Sequence, residues 1–213
     1  MKWIEFVKKV NKLPVIDTEI LLAGISNSMP VEVQISRWRK AKKLIQLKKG
    51  LYLLAEPYRK LPVCELSIAS LLQKPSYISL EKALEYHGLI PEAVVTYTSV
   101  TTKRPRKMIT EIGVFDYRHV KNSIFWGYET LVINKQTAFM ASPEKALLDY
   151  FYLKGNKISE PYLEEMRLQN TEKLSIKKLL ECAKRFKSPG ILSAANIVVK
   201  YIESHEKKEK TLL

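Results

Sequence analysis

Apolar positions in the first forty residues recur at helical spacing. In WIEFVKKV, Trp3, Val7 and Val10 share one side and Ile4 and Phe6 widen the stripe, which predicts a first helix ending before Leu13 and Pro14. TEILLAG predicts a short second helix: Asp17 or Thr18 can accept from its free N–H groups, and Gly24 would end it. Pro30 suits the first turn of a third helix running to about Lys43. At roughly 100° per residue, Val31, Ile35, Trp38, Ala41 and Ile45 line one side of it, with Lys42 intruding near the end. Glu32, Val33, Ser36, Arg37, Arg39, Lys40 and Lys43 are left on the other. LIQL then alternates, KKG makes a reversal in which Gly50 is free to take positive φ, and LYLLA reads as the return strand. Three helices followed by a hairpin predict a winged helix-turn-helix over residues 1–58.

AEPYRKLP reads as a linker, and a second domain is expected over residues 62–213. VCELSIASLLQ is amphipathic, and KPSYISLEKALEYHGLIPE reads as a turn and then a helix capped by Ser79 and closed by Gly88. AVVTYTSVTT and MITEIGVFDYRHV predict paired strands joined by the tip KRPRK, and SIFWGYETLVI and TAFMA add further strands. SPEKALLDYFYL opens a helix with Ser142 as cap and Pro143 and Glu144 in its first turn. PYLEEMRLQ, SIKKLLECAKRF and ILSAANIVVKYIESHEKK are helical. The fold class is therefore α+β: an N-terminal winged helix-turn-helix followed by a mixed α/β C-terminal domain with an antiparallel sheet and several helices.

Charge changes the picture from fold to partner. The formal net charge is +14, and residues 1–60 hold 13 Lys and Arg against 5 Asp and Glu. Such a field favours polyanions. Seven basic residues and no acid lie between Arg37 and Lys49; their mutual repulsion is tolerable if phosphates neutralise them. Double-stranded DNA is the expected partner. Ser36 and Arg37 are candidates for base edges, since Arg suits guanine O6 and N7, and Arg39 shares their face. Lys40, Lys43, Lys48 and Lys49 are candidates for phosphates. Trp38 is expected in the core. At the second tip, Lys103, Arg104, Arg106 and Lys107 are candidates for added DNA backbone contact or for an acidic partner; the plainer reading is an exposed loop kept soluble by charge. No uncharged run approaches the ~20 apolar residues of a membrane span, and MKWIEFVKKV lacks the unbroken apolar run of a signal peptide, so a cytoplasmic protein with no membrane partner is expected.

Little points to catalysis. His87, His119 and His205 are dispersed, and His87 suits the negative end of the helix before Gly88. Asp17, Asp116 and Asp149 form no close carboxylate pair, and there is no Gly-rich phosphate loop, GxSxG or HExxH. Cys64 and Cys182 stand far apart in apolar context and read as small buried hydrophobes. We expect no enzymatic activity, cofactor or metal.

QISRWRKAKKLIQLKKGLYLLAEPYRK, PSYISLEKALEYHGLIPE, TYTSVTTKRPRK, FWGYE and ASPEKALLDYFYL follow one another from about residue 18 to 153. In that order they resemble successive blocks of the AbiEi family, winged-helix transcriptional regulators and antitoxins of type IV toxin–antitoxin systems linked to phage defence by abortive infection. The resemblance implies an N-terminal domain that binds inverted repeats in its own promoter and represses its operon. It also implies a C-terminal domain that counters a nucleotidyltransferase-like toxin without a stable complex. Family members often have Gly where the third helix turns into the wing; Lys42 and Lys43 stand there in this chain. The alternative is a stand-alone winged-helix regulator whose C-terminal domain mediates sensing or oligomerisation.

Overall fold

The computed structural model describes residues 2–155 and 158–211, with side chains as far as Ser204; His205 lies outside the described side chains. The chain opens with helices α1 (Trp3–Val10), α2 (Thr18–Leu21) and α3 (Met29–Lys40). They pack with a three-stranded antiparallel sheet of β1 (Ile16–Asp17), β2 (Leu44–Lys48) and β3 (Leu51–Leu54) in the order β1-β3-β2. The two residues of β1 pair with Tyr52 and Leu51, a strand too short to show alternation in the sequence. Ile4, expected on the stripe of α1, is instead exposed.

α3 ends at Lys40, three residues earlier than its periodicity suggests. The reason is a C-terminal cap in which the Lys43 N–H donates to the Trp38 carbonyl and the Lys42 N–H to that of Arg39. This is the bond pattern that closes a helix when the next residue turns left-handed. Lys42 does so, at φ 55°, a conformation that suits glycine better than lysine. Lys42→Gly should therefore raise stability by roughly 0.5–1 kcal/mol, the relieved strain less the entropy glycine adds to the unfolded chain. The urea midpoint should rise with an unchanged slope; a lower midpoint would show that the turn carries no strain.

The N-terminal core gathers Phe6, Val10, Ile16, Ile35, Trp38, Leu44 and Leu54, with Trp3 stacked on Phe6 and set edge-on to Trp38. Only one face of the sheet serves it. β3 alternates between two cores: Tyr52 and Leu54 face the helices, while Leu51 and Leu53 point into the larger core that follows in sequence. On β2, Ile45 and Leu47 alternate onto that second face, and a bulge between Gln46 and Lys48 brings Lys48 to it as well. An apolar run such as LYLL is what a strand buried on both faces requires.

The second unit holds α4 (Glu65–Leu72), α5 (Leu80–His87), α6 (Pro143–Lys154), α7 (Glu160–Glu165), α8 (Ile176–Arg185) and α9 (Pro189–Thr211). They pack with a six-stranded sheet of β4 (Ser76–Ile78), β5 (Thr96–Thr101), β6 (Arg106–Ile109), β7 (Val114–His119), β8 (Tyr128–Ile133) and β9 (Gln136–Ala141). The strand order is β6-β7-β5-β4-β9-β8, with β5–β7 and β4–β9 parallel and the other pairs antiparallel. The α+β class holds, but the sheet is mixed rather than antiparallel. Central β4, three buried residues, replaces the turn expected at SYI. KRPRK also departs from expectation: β6 pairs with β7 and not with β5, so the segment carries the chain across the sheet end instead of closing a hairpin.

α6 begins as anticipated, with Ser142 Oγ accepting from the Lys145 N–H and Pro143 in the first turn. Ser79 makes no such cap: its hydroxyl is turned to donate to Asp149, and the Lys82 N–H of the first turn donates to Thr98 Oγ1 instead. His87 does not cap its own helix either; its Nε2 lies 2.8 Å from the Ala141 carbonyl oxygen. Cys64 is buried, Cys182 is half-buried with its thiol pushed up by burial, and neither is in a disulfide. Among the described residues, no helix is long and apolar enough to cross a membrane.

Candidate nucleic-acid interface

Along α3 the core takes Ile35 and Trp38 and leaves Met29, Val33, Ser36, Arg37, Arg39 and Lys40 exposed. The sheet tip comes to the same side. Ser36 and Arg39 share a cleft of about 490 Å³ with Lys49, Gly50 and the carboxylates of Glu19 and Glu32. The tip is held there by Thr18, whose N–H and hydroxyl both donate to the Gly50 carbonyl, at 2.9 and 3.1 Å. Gly50 itself sits at φ 87°, where the reversal between β2 and β3 needs a residue without a Cβ. Arg39 is braced by donating from Nη1 to Gln46 Oε1 on β2. Glu32 is held back by a 2.6 Å bond from the Ser28 hydroxyl.

Two lysines expected to be free are engaged elsewhere. Lys43 lies beyond the end of α3, and its ammonium sits 5.2 Å above the Trp3 ring, a cation–π contact on the core side of the unit. Lys48 is turned by the bulge toward α4, where its Nζ donates to the carbonyl oxygen of Leu72 at 2.7 Å and more weakly to that of Leu71 at 3.4 Å. These are orphan carbonyls at a helix C-terminus, where a cation is favoured. Burial, with Lys74 and Arg106 next in effect, holds the Lys48 ammonium below the ordinary lysine range. Lys49 is the tip lysine that stays exposed.

Two basic segments that are separate in sequence come together here. Lys48 reaches the end of α4 at Leu72, and Gln73, the next residue, bonds to Arg104, so the tip of the small sheet, the α4–β4 turn and the KRPRK segment are neighbours. The segment is positioned by Gln73, whose Nε2 donates to the Arg104 carbonyl at 3.0 Å, and by His119, whose Nδ1 lies 3.0 Å from the Lys103 carbonyl. Lys103, Arg104, Arg106 and Lys107 are all exposed. Arg106 and Lys107 belong to β6, an edge strand, where exposed cations also discourage pairing with another chain.

A second polar assembly, in the larger core, has no counterpart in the sequence reading. Lys145 and Asp149 are both fully buried and ion-paired one turn apart on α6. Asp149 Oδ2 accepts from the Tyr77 and Ser79 hydroxyls, each at 2.9 Å. Lys145 Nζ donates to the Tyr77 oxygen at 2.8 Å and lies 4.9 Å from the centroids of Trp126 and Phe186. Gly127, at φ 75°, lets the lysine pass, since a Cβ there would come within 3.0 Å of Lys145 Cγ. Burial raises the Asp149 carboxyl and lowers the Lys145 ammonium, each opposed by the other's charge, and it raises the Tyr77 phenol, where the charge of Asp149 adds to the change. A helical i, i+4 pair in SPEKALLDYFYL reads as an ordinary surface bridge. Only the tertiary fold shows that it faces inward. Among the described residues, no three His, Cys, Asp or Glu gather as a metal site. Compared with family models and with curated proteins, the chain gives no match.

Proposed function

We propose that the protein is a DNA-binding transcriptional repressor whose residues 1–58 act as a winged helix-turn-helix, with α3 in the major groove and the β2–β3 tip along the adjoining backbone. One observation carries the reading. Ser36 and Arg39 on α3 and Lys49 at the tip line a single cleft, in the part of the chain where the positive charge is concentrated. Arg37, Arg39 and Lys40 along the helix and Lys49 at the tip are all exposed, as contacts to a groove and its flanking phosphates require. Ser36 and Arg37 read bases; Lys40 and Lys49 hold phosphates; Lys43 and Lys48 keep the unit in shape. The KRPRK segment adds backbone contacts, since it lies beside the tip.

The antitoxin half of the proposal rests on the ordered likeness to AbiEi blocks. On that likeness the protein represses its own operon through inverted repeats and, through its second unit, counters a co-encoded nucleotidyltransferase-like toxin without forming a stable complex with it, acting in the cytoplasm and not as an enzyme. A stand-alone regulator with a sensing or oligomerising second unit would bind DNA in the same way. Rescue of cells from such a toxin, encoded beside this gene, by the full chain but not by an empty vector separates the two.

A gel-shift series with the upstream region of its own gene, run at several salt concentrations beside scrambled DNA, tests the DNA reading. With about six phosphates neutralised, log K should fall with log salt at a slope of about −5. Arg37→Ala should cost ~1–3 kcal/mol on the preferred sequence and relax the preference, whereas Lys49→Ala should weaken binding to all duplexes alike and shallow the slope by about one. Equal effects of both variants on preferred and scrambled DNA would defeat the division of roles.

A further inference from the structure

The exposed side of α3 is basic only in its second half. Its first two turns present Met29, 70% exposed, and Val33, 45% exposed. One turn apart, they stand on the same face as Ser36, Arg37 and Lys40, so a continuous strip runs from two apolar side chains to a hydroxyl and two cations. Neither side chain joins the core around Ile35 and Trp38. Single exposed hydrophobics are common on protein surfaces. Their place in this strip is not arbitrary, because the N-terminal residues of a helix lying in the major groove are those that reach base edges. The one apolar feature on a major-groove edge is the C5-methyl group of thymine.

We propose that Met29 and Val33 read thymine methyl groups, making the first half of α3 a methyl-sensing surface beside the polar base contacts of Ser36 and Arg37. The inference rests on the DNA reading above and adds the base class recognised. Charge complementarity selects a duplex as the occupant, since the apolar pair is continuous with cations that a second apolar protein surface would have to desolvate. A methyl group buried against Val33 removes about as much apolar surface as one CH₂, which corresponds to roughly fourfold in affinity.

The test uses the full chain and duplexes recovered by repeated binding selection from a randomised 20-base-pair pool. Each recovered duplex is made once with thymine and once with deoxyuridine at every thymine. Wild-type affinity should fall about fourfold for each methyl read. In the Met29→Ala/Val33→Ala variant the thymine-to-deoxyuridine ratio should fall toward one while the salt slope stays unchanged, since no charge is altered. A wild-type ratio of one, or a ratio that survives in the variant, overturns the proposal while leaving DNA binding intact. If the variant keeps the ratio and loses self-association in sedimentation, the patch is an interface between copies. Absence of saturable binding to any duplex would instead remove the DNA reading, and this inference with it.

Discussion

Asp149→Ala is expected to destabilise the protein by about 3–5 kcal/mol, the range for removing one partner of a buried ion pair. The reasoning starts from desolvation. Lys145 and Asp149 are both fully excluded from solvent. Their attraction offsets the cost of drying them only because Tyr77 and Ser79 occupy the remaining acceptor capacity of the carboxylate. Without Asp149 the ammonium is left among Trp126, Phe186 and the Tyr77 oxygen, and two hydroxyls lose their acceptor. Lys145→Met combined with Asp149→Leu should recover much of the loss, because an apolar pair of similar volume needs no partner. Recovery should be incomplete, as Ser79 and Tyr77 stay unsatisfied; adding Tyr77→Phe should recover more. Urea unfolding of the four proteins decides it. A single Asp149→Ala cost below 1 kcal/mol would mean that water reaches the pair.

The second large effect lies in the smaller core. Trp38→Ala should cost about 3–5 kcal/mol, as expected for emptying a large aromatic from a packed interior. Trp38 is only 7% exposed, its ring lies 4.6 Å from that of Phe6 and 5.0 Å from that of Trp3, and few other side chains share that core. It also anchors the end of α3, since its carbonyl accepts the bond from Lys43 that closes the helix. Duplex binding should therefore fall for preferred and scrambled sequences together, unlike the selective loss expected for Arg37→Ala. Near-native stability in Trp38→Ala, measured by urea unfolding beside the gel-shift, would refute a keystone role for this residue.

The elements legible in the sequence were those whose signal is local. α1, α3, the β2–β3 reversal at Gly50 and the start of α6 at Ser142 each follow from periodicity or a cap. The elements that were not legible depend on partners distant in sequence. β1 and β4 are two and three residues long and exist because β3, β5 and β9 lie beside them. The parallel pairing of β5 with β7, which opens the expected hairpin at KRPRK, is a choice of strand order that alternation cannot encode. The candidate interface was read in the same way. The exposed side of α3 could be counted off from Ile35 and Trp38, whereas the loss of Lys48 to the end of α4 required knowing that a bulge turns it there.

The bulge and the doubly used strand bear on how this protein can be dissected. Excising residues 1–58 would lay bare Leu47, Leu51 and Leu53, and the remainder would lose part of its own floor, so both fragments should self-associate. The same construction ties the tip to the larger core: a force applied at Lys49 would pass along β2 and β3 into the interior of the second unit. A protein built so has its two units joined through a shared plate, each core resting on one face of it.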